Sequence, residues 1–246
     1  MKGLILAAGR GSRMAELNLT HKSLAVVNKK HIIDFSLDLL SNAKDGNNSL
    51  IDEIIIVVGY NADSIIDYIG NEYNGIPVSF VYQSERKGVA HAILTAREKI
   101  NDDFVLCLAD EILFNSRLPE MIQSFKKSDL GVLCGVVIDE NDFSMKPIAY
   151  DLDETYYYVN QVREKPDCYK NEFRGIGECV FRKDTLLYLD DLKPNQKRGE
   201  YEMGDFIQLV IDNGLKVRLF NLADGYMNVN YAKDLAVANK VFEEKN

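Results

Sequence analysis

The chain has 246 residues, 46% hydrophobic and 27% charged, the balance of an ordinary soluble globule whose core needs no disulfide or metal staple. A net charge of -9, a pI near 5.0 and the lack of any long basic run argue against a nucleic-acid or membrane-surface binder. Cys107, Cys134, Cys168 and Cys179 make no CxxC pair and no zinc-ligand spacing, and Cys107 and Cys134 stand in apolar runs, so buried free thiols and a reducing, cytoplasmic setting are expected.

The opening segment MKGLILAAGRG is too short an apolar run for a secretory signal, and no later segment approaches a membrane span. It predicts a strand over residues 3–8, and further apolar runs predict strands over 54–58, 78–82, 104–108 and 131–137. Helical spacing predicts helices over 32–40, 62–69, 88–100 and 119–125. This alternation implies right-handed crossovers and a mostly parallel sheet. From about residue 140 the character changes. Tyr150, Tyr156, Tyr157, Tyr158 and Val162 predict β-rich, antiparallel additions, followed by a helix bearing Phe206, Leu209, Val210 and Ile211, a strand over 216–220 and an amphipathic helix over 234–244. No linker or repeat intervenes, so one domain spanning 1–246 is expected, with a nucleotide-binding half to about 140 and an acceptor-binding half beyond it.

The first strand runs into Ala7-Ala8-Gly9-Arg10-Gly11-Ser12-Arg13, and Lys22 follows nine residues later. Small residues let backbone N–H groups approach a ligand, and consecutive N–H groups in a turn form an anion-binding concavity. With three cations beside it, the segment points to a nucleoside triphosphate. It is not a P-loop, which would end in Gly-Lys-Ser/Thr, and it is not the dinucleotide fingerprint, whose third Gly is replaced by Met14. The run FVLCL ends in Ala109-Asp110. Ligands of open α/β sheets bind at the carboxyl ends of strands, and a carboxylate there, with substrate phosphates, can anchor Mg2+. Glu111, next in an extended backbone, points elsewhere and is given no role.

The order and content of these motifs resemble the sugar-nucleotidyltransferase family. Leu6-Ala7-Ala8-Gly9-Arg10-Gly11-Ser12-Arg13 is similar to L-A-A-G-x-G-T/S-R, and His21-Lys22 stands where the family has Pro-Lys. Gln83 and Gly88, with Ala90 and Ala92, match Q-x-x-x-x-G-x-A-x-A; Val162-Arg163-Glu164-Lys165-Pro166 is similar to V-x-E-K-P. The stretch from Tyr226 to Leu235 is similar to W-x-D-V-G/N-T-P-E-D-L. Two places depart from the family: Pro147-Ile148 replaces a Tyr-Gly, and Gly175-Ile176-Gly177 replaces an Asn-x-Gly, both normally at the sugar.

The resemblance implies a Rossmann-like, three-layer α/β/α nucleotidyltransferase fold with β-rich acceptor-binding additions. It implies transfer of a nucleoside monophosphate from an NTP to a phosphorylated small molecule, a sugar 1-phosphate first of all, releasing pyrophosphate. Arg13 and Lys22 are expected to hold the phosphates, Asp110 to hold Mg2+, and Lys165 to align the acceptor phosphate. Residues 6–12 line the nucleotide, and Gln83 and Gly88 read the base. Glu164 and Gly177 meet the acceptor. Asn228 sits where the family's second metal-binding Asp is usual, and Asn230 competes for that role. His91 is read as a solvent-facing or core-edge histidine, and the Glu200-Tyr201-Glu202 and Asp205 cluster as the start of a helix. Three alternatives stay open: a cytidylyltransferase-type enzyme acting on phosphocholine or a phospho-amino compound, a nucleotide-binding relative without activity, and a structural or interaction subunit that binds no NTP. No nucleic-acid or membrane partner is expected, a homo-oligomer is left open, and no appended acyltransferase domain is expected because the sequence ends soon after the last motif.

Overall fold

The structure, a computed structural model, describes residues 1–17, 21–138, 148–155, 157–164 and 173–245. Its elements in chain order are β1 (Lys2–Leu6), α1 (Ile32–Ser41), β2 (Glu53–Val58), α2 (Ala62–Ile69), β3 (Ile76–Tyr82), α3 (Val89–Ala96), β4 (Phe104–Leu108), β5 (Glu111–Phe114) and α4 (Leu118–Lys126). The second half adds β6 (Val132–Ile138), β7 (Ile148–Leu152), β8 (Val159–Glu164), β9 (Phe173–Phe181), α5 (Met203–Asp212), β10 (Val217–Asn221), β11 (Gly225–Asn228) and α6 (Ala232–Lys245).

One eight-stranded sheet organises the molecule, in the order β10-β6-β9-β4-β1-β2-β3, with the short strand Glu72–Tyr73 at the far edge. Pairing is parallel across β4-β1-β2-β3 and between β6 and β10, whereas β9 runs antiparallel to both neighbours. The strands are apolar runs because both faces are covered. Side chains alternate between two cores. Ile5, Ile54, Ile56 and Cys107 face α1, α2 and α4, while Leu4, Ile55, Val57 and Leu106 face α3 and α5. These are the three layers that the sequence predicts. Cys107, Cys134 and Cys179 are buried free thiols; Cys168 lies outside the described residues.

Most predicted elements shift by a residue or two. The first strand stops at Leu6, because Ala7 and Ala8 bend away to start the loop, although Ala7 N still donates to Val57 O at 2.8 Å. The helix predicted over 88–100 is α3 followed by a tighter turn, Arg97–Lys99. The β-rich addition is the antiparallel hairpin β7-β8. A small antiparallel ribbon, β5-β11, sets Glu111 opposite Asn228 and, just beyond, Val229 N donates to Asp110 O at 2.9 Å. A third apolar cluster of Met14, Ile32, Ile112, Val229 and Ala238 seats α6 against this ribbon and the opening loop.

Candidate functional site

β1, β3 and β4 end on a common cleft of about 450 Å3. Its walls bring together Leu6, Ala7, Ala8, Gly9, Arg10, Gly11, Ser12, Arg13, Lys22, Gln83, Gly88, Asp110 and Asn230, all anticipated in the sequence. Arg86 and Glu200 stand on the same walls without having been assigned a role. The loop takes its shape from Gly11. Its φ is +61°, and a Cβ there would come within 2.6 Å of Lys22 Cβ, so a side chain would both strain the backbone and displace the lysine. Arg10 lies 5.4 Å over the Tyr60 ring and Arg13 5.5 Å over the Tyr231 ring, which anchors these cations at the mouth.

Lys22 and Asp110, far apart in sequence, meet at the floor of the cleft. Lys22 Nζ donates to Asp110 Oδ2 at 2.6 Å and to Asn230 Oδ1 at 2.9 Å. His21, which stands in place of a proline, holds Lys22 in register. Its Nδ1 accepts from Ser23 N at 3.1 Å and so caps the short turn Lys22–Leu24. The ring is buried, and burial together with the Lys22 charge pushes its pKa down to about 4. Its Nε2 nears the Ala7 backbone without reaching hydrogen-bond geometry.

Behind Asp110 runs a chain of polar groups that the sequence reading did not anticipate. Asn230 Nδ2 donates to Asn228 Oδ1, and Asn228 Nδ2 donates to Glu111 Oε1 at 3.3 Å. Tyr226 Oη also donates to Glu111 Oε1, and Gly177 N donates to Glu111 Oε2 at 2.8 Å. Glu111 shares a buried hydrogen bond with Glu178. A carboxyl pair away from water cannot hold two charges. Burial, then the neighbouring Asp110 charge, raises Glu111 to about 7, with the Glu178 hydrogen bond acting the other way; burial and the Glu111 charge push Glu178 well above the carboxylate range. The β6-β9 register explains the placement: Cys134 faces Cys179 and Val136 faces Gly175, so 176–178 bulge opposite Gly135 and carry Glu178 inward.

The opposite wall is built on Gln83 and Gly88. Gln83 continues β3, its N–H donating to Val58 O at 2.8 Å, and its Nε2 meets His91 Nδ1 at 2.8 Å. Gly88 precedes α3 with φ +104°, and a Cβ there would lie 2.5 Å from Tyr201 O. Tyr201 N in turn donates to Lys87 O and Tyr201 O accepts from Ala90 N, so the segment before α5 braces the start of α3.

Other expected residues are not on these walls. Glu164 ends β8, where its Oε2 accepts from Gly204 N at 3.0 Å at the start of α5, and it does not line the cleft. Gly177, expected at the acceptor, is buried behind the site: a Cβ would meet Leu108 Cγ at 2.4 Å, and its N–H is taken by Glu111. Asn228 is likewise one step back, with Oδ1 turned to Asn230 rather than to the cleft. Lys165, Pro147 and Pro166 lie outside the described residues. Glu111 does point away from the cleft, as backbone alternation requires, but into the carboxyl pair.

Among the described residues no group of His, Cys, Asp and Glu side chains could enclose a metal by itself. The donor set present suits a hard cation shared with a substrate: Asp110 Oδ2 and Asn230 Oδ1 converge on one positive charge, now the Lys22 ammonium.

A family model described as nucleotidyl transferase matches residues 2–244. A UTP--glucose-1-phosphate uridylyltransferase of Haloferax volcanii is 29% identical over 248 residues, covering 100% of this chain and 98% of that protein. A glucose-1-phosphate thymidylyltransferase of Streptomyces griseus is 27% identical, covering 99% of this chain and 66% of that protein. In a solved structure of a UDP-glucose pyrophosphorylase complexed with UDP-glucose, the fold agrees with a TM-score of 0.86 at 20% identity, covering 100% of this chain and 99% of that one.

Proposed function

The chain belongs to the nucleotidyl transferase family, and on that premise we propose that it transfers a nucleoside monophosphate from an NTP to a sugar 1-phosphate, giving a nucleotide sugar and pyrophosphate. The observation that carries this is the convergence of Gly11, Lys22 and Asp110 at the ends of β1 and β4, a small-residue loop with a cation and a carboxylate at the floor of the cleft. The sugar acceptor is supported by the two relatives of similar length of match, both named for glucose 1-phosphate.

An oxygen of the acceptor phosphate attacks the α-phosphorus, a P–O bond forms, and the bond to pyrophosphate breaks with the electron pair leaving on its oxygen. Both reactants are anions, so the protein's part is positioning and charge neutralisation. Backbone N–H groups of 8–12 cradle the phosphates, and Arg10, Arg13 and Arg86 offset the negative charge at the mouth. Lys22, paired with Asp110 in this structure, would neutralise the phosphates if that carboxylate were shared with a divalent cation. Asp110 and Asn230 would hold the ion, Mg2+ in our reading, and it would draw charge from the phosphate oxygens. Lys165 is proposed to meet the acceptor phosphate.

The test is pyrophosphate release with Mg2+ across the NTPs and a panel of acceptors that includes glucose 1-phosphate and phosphocholine. Turnover with a sugar 1-phosphate is expected. Lys22→Ala and Asp110→Ala should each lower kcat by about a hundredfold or more. Release with phosphocholine alone, or no release with any pair, overturns the proposal.

A further inference from the structure

We propose that His91 is a positioning residue for base selection: it holds the Gln83 amide one way round, nitrogen to the histidine, so that the nucleotide meets the amide oxygen. The cleft then takes a base whose ring nitrogen carries a proton, as in uracil, thymine and guanine, in preference to cytosine and adenine. This rests on reading the cleft as the nucleotide site.

An amide presents a donor at one end and an acceptor at the other. A glutamine free to turn over would suit either class of base and select neither. Gln83 is not free. It is 4% exposed, its backbone is tied to Val58, and its Nε2 lies 2.8 Å from His91 Nδ1. In the tautomer with its proton on Nε2, which we assign to His91, the neutral imidazole accepts at Nδ1, and the amide nitrogen is the end of Gln83 that donates to it. Burial and the nearby Lys87 ammonium favour the neutral ring, with Glu85 acting the other way. His91 is itself fixed. It sits in the first turn of α3, and the Tyr201 ring lies 6.0 Å from it, on a segment doubly bonded to Lys87 and Ala90. With Nε2 turned to the histidine, the oxygen end of the amide is the one turned away from it, toward the cleft that Gln83 lines. Facing uracil N3–H, that oxygen gains a hydrogen bond. Facing cytosine N3, it sets acceptor against acceptor, and both stay unsatisfied.

The experiment measures binding of UTP, dTTP, CTP and ATP with Mg2+ by calorimetry, without acceptor, in the wild-type protein and in His91→Leu and His91→Lys, alongside kcat/KM by pyrophosphate release. The wild type should favour UTP or dTTP over CTP by roughly tenfold to a hundredfold. His91→Leu frees the amide and should bring the ratio to within about threefold of unity. His91→Lys puts a donor where the acceptor was, turns the amide over and should move the ratio toward CTP. A purely structural role would weaken all nucleotides alike and leave the ratio unmoved. A wild type that binds no nucleotide, shows no UTP preference, or keeps its preference in both variants overturns the proposal. UTP-selective binding that His91 variants abolish, without pyrophosphate release for any acceptor, would instead overturn the assigned reaction and leave this inference standing.

Discussion

His21 and Glu178 are both buried ionisable side chains, and they bias the fold in opposite pH directions. The His21 ring binds a proton in the unfolded chain near pH 6.5 but in the fold only near pH 4. Its folded pKa is depressed, so below about 6.5 the unfolded chain takes up a proton the fold excludes, and stability falls as pH drops toward 4. His21→Asn keeps an acceptor for Ser23 N without titrating. Urea unfolding should show the wild type losing roughly 2 kcal/mol more than this variant between about pH 7 and pH 5; parallel losses would remove the assignment. Glu178 works the other way. Its folded pKa is raised, so its contribution is complete below the unfolded value near 4.5 and fades as pH rises through the folded value. Glu178→Gln still donates to Glu111 and should shrink the alkaline loss of stability in the same assay, and an unchanged alkaline slope would count against the shared proton. Sequence made the cleft's own residues legible, because Lys22 and Asp110 sit in short motifs beside strand ends. It did not separate Asn230 from Asn228, since that choice follows from the β5-β11 register, and it had no means of showing that Glu111 and Glu178, 67 positions apart, share a hydrogen bond.

At the scale of elements, the two loops that shape the cleft depend on left-handed glycines. Gly11→Ala should cost about 1–2 kcal/mol of stability in strain, and should weaken NTP binding further by pushing Lys22 off Asp110, because the added Cβ meets the lysine at 2.6 Å. Thermal unfolding and nucleotide titration measure the two effects separately. A variant with wild-type affinity would show that the cradle does not depend on this approach. The helices and central strands were legible because their apolar periodicities are strong and both sheet faces are covered. Helix α2 begins and ends at the predicted residues, Ala62–Ile69. The boundary errors fall at strand ends such as Ala7 and Ala8, where side chains remain buried after ladder pairing has stopped. The place of β9 was not legible: its apolar pattern says that it is covered, not which neighbours cover it.

Across the whole molecule, a net charge of -9 surrounds a cleft whose mouth carries Arg10, Arg13 and Arg86. Binding of an anion there relieves repulsion among those cations and is linked to folding. NTP with Mg2+ at about a hundred times its Kd should stabilise the protein by roughly 2.7 kcal/mol, read as a rise in Tm, and Asp110→Ala should lose most of that rise. A Tm indifferent to nucleotide would place the ligand elsewhere.

The sheet order carries a consequence for how the chain emerges during synthesis. β9 lies between β4 and β6, and β6 has only β9 and β10 beside it. A nascent polypeptide ending at residue 138 thus possesses β6 with neither partner made, and β4 with one edge bare. Such a half-made sheet exposes apolar strands and open backbone groups, the features that invite aggregation. The front half therefore waits for the back: a fragment of residues 1–138 should be protease-sensitive and bind chaperones, and protection should appear only once residue 221 has cleared the ribosomal tunnel. Pulse proteolysis of arrested chains of increasing length would locate that step.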